Sequence, residues 1–415
     1  MPKRLVLAAL LVMGVGQASP CDEVPAHAPL AVITVQAAAH PSRETPVSAP
    51  LDGVLVPLDR GLCLVEVRDD ERLPVSSQIE PGAHPRLWWV LSGLAECGER
   101  RVFELVPGDR TDPPHVTVAR DPATLRILHQ GDGVLAYQHA VMPPPAGASP
   151  RFARSGFIHP LYSPAGEVLT RIHPPDHVHH LGLWNPWPHT RFEGREVDFW
   201  NLDKGQGTVR FVRFVSIIEG PVFGGFRALH DHVDLTASEG EKTALSEVWD
   251  VRVWSAGGSR AGLYLVDLVS TLACATSSPV RLLQYRYGGL GFRAAASFDE
   301  GDYLTSEGKR RADGQGTRAR WCLVGGPTAK GPAGVLFMSH PHNHEHPEPM
   351  RIWSDQRAIF FGFCPVQAGD WQLEPGKEYV LRYRLCIYGG ALEPAQAEQL
   401  WEDWTEPPLV EVRIP

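Results

Sequence analysis

Tyr379-Val380-Leu381-Arg382-Tyr383-Arg384-Leu385-Cys386-Ile387-Tyr388 alternates in character, and that alternation decides the fold. Successive side chains of an extended chain point to opposite faces. Tyr379, Leu381, Tyr383, Leu385 and Ile387 therefore share one face of a strand, and Arg382 and Arg384 share the other. Leu245–Trp254 and Leu263–Val269 alternate in the same way. Two further runs, Leu125–His129 and Val134–Gln138, flank Gly131-Asp132-Gly133, where glycine supplies the positive φ of a tight hairpin.

The composition points the same way. Hydrophobic residues make up 43% of the 415, enough for a large core and too many for a disordered chain. Gly (40) and Pro (38) together exceed the roughly 12% typical of the pair and follow no repeat period. Such an excess means many turns and few long helices. It excludes helical bundles and solenoids, and it disfavours a Rossmann-like chain, whose crossover helices need Pro-free stretches. Only Pro394–Trp404 reads as a helix, with Pro394 in its first turn and Leu400, Trp401 and Trp404 at helical spacing. The expected architecture is all-β: a large antiparallel β-sandwich over 115–390, preceded by a small β-domain over 31–108 and followed by a C-terminal helix and tail over 391–415. The small domain rests on the short runs Gly53–Val56, Leu62–Val67, Leu87–Leu91 and Arg101–Leu105, and 107–114 reads as a linker.

Met1-Pro2-Lys3-Arg4, the apolar run Leu5–Val15 and the small residues around Ala18 predict a secretory signal peptide over 1–18, followed by a mobile tail over 19–30. The apolar run is too short to span a bilayer, and Pro20 before Cys21 argues against lipidation. The expected location is therefore periplasmic or extracellular, with no membrane span. A net charge of −9 argues against nucleic acid as a partner. None of the seven cysteines forms a CxxC pair, so a thiolate metal cluster is not expected. Cys63 and Cys97 lie in one small segment and are a candidate disulfide pair.

Four segments hold residues suited to chemistry. In His173–Trp187, histidines 173, 177, 179 and 180 stand among prolines and two tryptophans; in an extended chain His177 and His179 would face one side and His180 the other. Imidazole serves as acid, base or metal ligand near neutral pH. In Phe192–Asn201, Asp198 and Glu196 would share a face if the run is extended, and Phe199 and Trp200 offer flat surfaces for a sugar ring. Gln284–Arg293 contains Arg286 and a glycine cluster that lets backbone approach a ligand, and it precedes Glu307, a candidate catalytic carboxylate beside Gly308. His340-Pro341-His342-Asn343-His344-Glu345-His346-Pro347 lacks the spacing of a helical zinc pair. It reads as a loop in which His340 and Asn343 contact ligand. GxSxG is absent.

Phe157–Thr170, Pro175–Trp184, Val197–Trp200, Tyr287–Phe292, Thr305–Gly308 and His340–Asn343 together resemble the DUF6807 family over roughly residues 115–390. The resemblance implies a galactose-mutarotase-like β-supersandwich and exported bacterial proteins associated with carbohydrate use. That family is also carried under a methane-oxygenase PmoA label. A particulate methane monooxygenase subunit needs transmembrane helices, and this sequence offers no such segment after its leader. By analogy with mutarotases, His179 or His180 would donate a proton and Glu307 would accept one. In lyase or hydrolase chemistry, Arg286 would neutralise a developing anion.

The expectation is an exported carbohydrate-active enzyme acting on a sugar or glycan. His179, His180 and Glu307 would be catalytic, and His177, Trp200, Asp198, Arg286, His340 and Asn343 would bind substrate. Epimerase or mutarotase, hydrolase and lyase chemistry stay open. The alternatives are a non-catalytic glycan-binding protein and a copper or zinc protein using the histidine clusters. No cofactor and no metal site is predicted, and the oligomeric state is left open.

Overall fold

The computed structural model describes residues 28–55, 61–69, 71–108, 112–258, 261–354 and 358–415. The predicted signal peptide and most of the predicted tail lie outside them. Two β-sandwiches are stacked, each built from antiparallel strands.

In the larger sandwich, the eight-stranded front sheet runs in the order Met350–Ile352, Phe360–Phe363, Gly291–Arg293, Leu183–Trp184, Phe157–Leu161, Asp132–Gln138, Thr124–His129, Val116–Arg120. The eight-stranded back sheet runs Gly207–Ile218, Phe223–Asp234, Lys242–Gly258, Leu263–Cys274, Glu378–Gly389, Ala333–Ser339, Trp321–Gly326, Asp302–Thr305. Alternation sorts the side chains. Leu381, Tyr383, Leu385 and Ile387 point inward to the core, where they meet Leu183, Phe292 and Phe361 of the front sheet. The predicted hairpin is present, with Gln130 (φ 50°) and Gly131 (φ 92°) as its two central residues and His129 opposite Asp132. Both central residues have the positive φ that matches the strand twist.

The smaller sandwich holds a feature that sequence reading missed. The last residues are a strand: Leu409–Arg413 returns to pair with Ala31–Gln36, placing Val412 opposite Ile33. The five-stranded sheet so formed covers a three-stranded sheet of Ser42–Pro50, Arg86–Ala95 and Ser77–Glu80. Ser42–Pro50 contains prolines at 46 and 50 and is an edge strand, where a missing N–H is tolerated. The expected strand at Gly53–Val56 is absent over its described part; residues 52–53 form a turn.

The disulfide expectation is corrected, since Cys63 and Cys97 are both free thiols. Register explains why. Cys63 pairs with Val106, whereas Cys97 lies in the turn before Arg100–Pro107. Six residues of strand separate Arg100 from Val106, roughly 20 Å at the usual rise, far beyond disulfide reach.

The outer face of the back sheet is buried too. Trp254, Leu265, Leu336, Met338 and Cys386 lie beneath the helix Pro394–Thr405, through Ala397 and Trp401, and beneath Trp88 of the small sandwich. Gln78 locks the two sandwiches by accepting from the amides of Val222 (3.1 Å) and Phe223 (3.0 Å). The outer face of the front sheet carries an aromatic patch under the loop 173–180.

Candidate functional site

Strand parity builds this patch. Phe292 faces the core, so its neighbour Arg293 faces outward; likewise Leu183 is core, and Trp184 is outward. Phe157, Trp184 and Phe360 pack with Trp200 and Trp353 into an aromatic layer that is itself buried. Two glycines permit the packing. A Cβ at Gly182 (φ 77°) would sit 2.5 Å from Ile158 O, and one at Gly291 would sit 2.9 Å from the Trp200 ring.

The loop 173–180 is a series of turns, not an extended chain. His177 N donates to Pro174 O (3.0 Å) and His180 N donates to His177 O (2.9 Å). The turn brings residues three apart together, so the rings of His177 and His180 stack at 4.7 Å instead of facing opposite sides. His179 closes on His180 edge-to-face at 4.7 Å. His180 is buried between Trp184 (5.1 Å) and Phe360 (5.1 Å), and burial holds its pKa well below the usual imidazole range. Burial likewise lowers His179 to about 4, with His177 adding to the effect. Both rings are therefore neutral at pH 7.

His177 differs. Its Nδ1 donates to Asp176 Oδ2 at 3.0 Å, and Arg293 Nη2 donates to the same oxygen at 2.7 Å. The guanidinium of Arg293 is 1% exposed and lies 4.8 Å from the centre of the Trp353 ring. Burial opposes ionisation of Asp176, but the hydrogen bonds from His177 and Arg293 prevail and hold its carboxyl below the usual range. The result is a guanidinium–carboxylate–imidazole relay that fixes one ring orientation and leaves Nε2 of His177 to exchange a proton.

Trp200 is buried behind Tyr287, which stacks on it at 5.6 Å, and the exposed Arg286 lies 5.0 Å from the centre of the Tyr287 ring. Asp198 is buried beside Trp200, where Oδ1 accepts from the amides of Trp200 and Asn201, both at 2.9 Å, and Oδ2 from the Asn201 side chain. It shapes the turn that presents Trp200. Glu196 does not share its face; it is exposed and pairs with Arg191 at 3.3 Å.

Glu307, His340 and Asn343 are not brought to this patch. Glu307 is exposed in the turn after Asp302–Thr305 and accepts from Ser306 Oγ at 3.0 Å. His340 stands at the back sheet, 5.1 Å from Trp404 and 4.9 Å from His342. Asn343 is buried with its amide fully used: Oδ1 accepts from Arg382 N (2.7 Å), and Nδ2 donates to Arg382 O (2.8 Å) and Glu348 Oε2 (3.0 Å). Glu348 also accepts from Tyr383 (2.8 Å) and Ser339, yet burial raises its carboxyl to about 7.

Sequence reading missed Arg293 and Trp353. Parity with Phe292 is the signal that placed Arg293 outward; nothing local marks Trp353. It also missed an internal cluster between the sheets, where Glu247 accepts from His232 (2.9 Å), Asn185 (2.7 Å), Ser270 (2.5 Å) and Trp249 (2.7 Å). Burial opposes its charge, but hydrogen bonds from His230 and His232 prevail and keep it ionised. This cluster is sealed from solvent and ties the sheets together beneath Trp184. Among the described residues, no three His, Cys, Asp or Glu side chains converge as a metal-ligand set. No helix among them is long and apolar enough to cross a membrane.

A family model described as "Family of unknown function (DUF6807)" matches residues 124–402. No curated protein matches the sequence. Solved structures with similar folds include an alpha-mannosidase from Enterococcus faecalis V583, at 9% identity and TM-score 0.45, covering 92% of this chain and 46% of that one. Heparan sulfate lyase HepC from Pedobacter heparinus aligns at 7% identity and TM-score 0.34, covering 69% of this chain and 38% of that one. The GH36 alpha-galactosidase AgaA from Geobacillus stearothermophilus aligns at 11% identity and TM-score 0.30, covering 68% and 40%. The chain thus spans less than half the length of these structures.

Proposed function

The chain belongs to the DUF6807 family, whose description assigns no function, and on that premise we propose that its front-sheet patch binds a saccharide and performs acid–base chemistry on it, with His177 moving the proton. The observation that carries this reading is the relay Arg293–Asp176–His177, which lies over a buried aromatic layer. The half-buried Tyr287, backed by the buried Trp200, offers its ring to the C–H face of a sugar. Arg286 and the neutral imidazole of His179 supply donors at their edge. His180 supports the stack from below. Glu307 has no part in this reading, because no group of the patch touches it. The leader-like start of the sequence supports action outside the cytoplasm, on periplasmic or extracellular carbohydrate.

A second reading, a non-catalytic glycan binder, is favoured by one observation. Asp176 is the only carboxylate among the described residues in contact with the three stacked histidines. Two-group chemistry would then need the substrate or water to supply the partner. The test is a panel of reducing sugars, aryl glycosides and uronate polysaccharides, followed by anomeric exchange, reducing-end release and unsaturated-product absorbance. Turnover by the native protein that is lost in His177→Ala supports the enzyme. Binding that depends on Tyr287 without turnover of any kind supports the binder.

A further inference from the structure

The opposite side of the molecule holds a cleft of about 520 Å³, which opens where the small sandwich meets the outer face of the back sheet. Trp254, Asp267 and Arg384 form its floor, Ser48, Arg86 and Trp88 one wall, and Trp404 another. Clefts of this size between domains are common ligand sites.

Its charges are not balanced. Arg384 is neutralised by Asp267, through Nε to Oδ1 at 2.6 Å and Nη2 to Oδ2 at 2.9 Å. Asp267 Oδ2 also accepts from Trp254 Nε1 at 2.9 Å. Among the described residues no carboxylate contacts Arg86: its Nε and Nη2 donate to Ser48 Oγ at 3.0 and 2.7 Å. A half-buried guanidinium facing a cleft without a counter-ion is a notable choice in a chain of net charge −9. The guanidinium groups also decide the sign of the ligand. Arg86 lies 5.8 Å from the centre of the Trp88 ring and Arg384 lies 5.4 Å from that of Trp404. The indoles therefore already carry cations, and an ammonium ligand would be repelled from what would otherwise be an aromatic cage. What remains complementary is an anion borne on a ring with apolar faces and hydroxyl edges.

We propose that this cleft binds an acidic saccharide, with the carboxylate of a uronate residue on the guanidinium of Arg86 and the sugar ring between Trp88 and Trp404. The assignment is independent of the histidine patch, which lies on the outer face of the other sheet. A forked guanidinium suits a carboxylate, and Ser48 Oγ suits a hydroxyl.

The test is calorimetric titration of the full chain with trimers of galacturonate, glucuronate, mannuronate and guluronate, with neutral galactose and glucose trimers and inorganic sulfate as comparison arms. At least one acidic trimer is expected to bind saturably and at least tenfold more tightly than its neutral counterpart. Arg86→Ala and Trp404→Ala should each weaken it tenfold or more, and His177→Ala should leave it unchanged. Arg86→Gln, which keeps the Ser48 contact without the charge, should weaken it as Arg86→Ala does if loss of charge and not misfolding is the cause. The proposal is overturned if no acidic trimer binds, if the neutral trimers bind equally well, if equimolar sulfate competes fully, or if the Arg86 variants bind like the native protein. Loss in His177→Ala with retention in Arg86→Ala would move the ligand to the front-sheet patch and overturn it as well.

Discussion

In the loop at 173–180 the histidine rings pack on one another and on an aromatic floor, and one of them is wired through Asp176 to Arg293. In the loop at 340–348 the polar groups with full partners turn inward: Asn343 staples the loop to Arg382, and Glu348 is held by Ser339, Asn343 and Tyr383. Of the histidines of the second loop, His346 touches that staple through Ser339 Oγ at 3.2 Å. His344 stacks on Trp371 at 4.2 Å and His346 on Trp401 at 6.3 Å, each ring without a carboxylate contact among the described residues. Both loops are rich in His and Pro, yet one presents an ionisable group with fixed orientation and the other buys local rigidity. The difference lies in the partners of the rings, not in their number.

The largest effect that would break this comparison is on turnover. His177→Ala is expected to lower kcat on any substrate found for the patch by about 100-fold or more, the usual worth of a positioned acid–base group. Its folding, read by circular dichroism, should be unaffected because the ring is half-exposed. Retained turnover would remove the distinction between the loops.

Next comes stability at the second loop. Glu348 has a folded-state carboxyl near 7 against an ordinary 4.5, so it favours the folded chain when protonated. That contribution is fully present below pH 4.5 and is lost as pH rises through about 7. The loss is on the order of 3 kcal/mol. Urea unfolding at a series of pH values should show it, and Glu348→Gln should flatten the slope across that window. An unchanged slope in the variant would assign the titration elsewhere.

Asn343→Ala removes three buried hydrogen bonds and should cost about 2–3 kcal/mol, with kcat within twofold of native. A selective loss of kcat at unchanged stability would instead return this loop to the active site. The smallest effects are expected at Glu307→Gln and His342→Ala. Both residues are exposed, so each should shift stability by less than about 0.5 kcal/mol and leave turnover as it was. A tenfold drop in turnover for Glu307→Gln would revive a carboxylate partner that the geometry does not provide.

The patch was partly legible in the sequence. His177, His179, His180, Trp200 and Arg286 do gather in one cluster, with His180 and Trp200 buried in it, whereas Glu307, His340 and Asn343 lie elsewhere. Adjacent glycines and prolines marked where loops turn, but a turn does not say what lies across from it. Arg293 and Trp353 are 60 residues apart and meet because Phe360–Phe363 pairs on one side with Gly291–Arg293 and on the other with Met350–Ile352, the strand that Trp353 follows. Such a pairing leaves no local trace. The same applies to Cys63 and Cys97, close in sequence and separated by register.

Alternation in Glu378–Gly389 and its companions was sufficient for the sequence alone to determine an all-β sandwich, because a strand's period of two sorts core from surface whatever its neighbours are. The tertiary structure decided the rest. It buried the face of Arg382 and Arg384 under a second sandwich, drew Leu409–Arg413 back to Ala31–Gln36, and left His177 as the one member of the histidine stack with a carboxylate partner. Partners, burial and charge are set by strands distant in the chain, and they convert a list of reactive residues into a site.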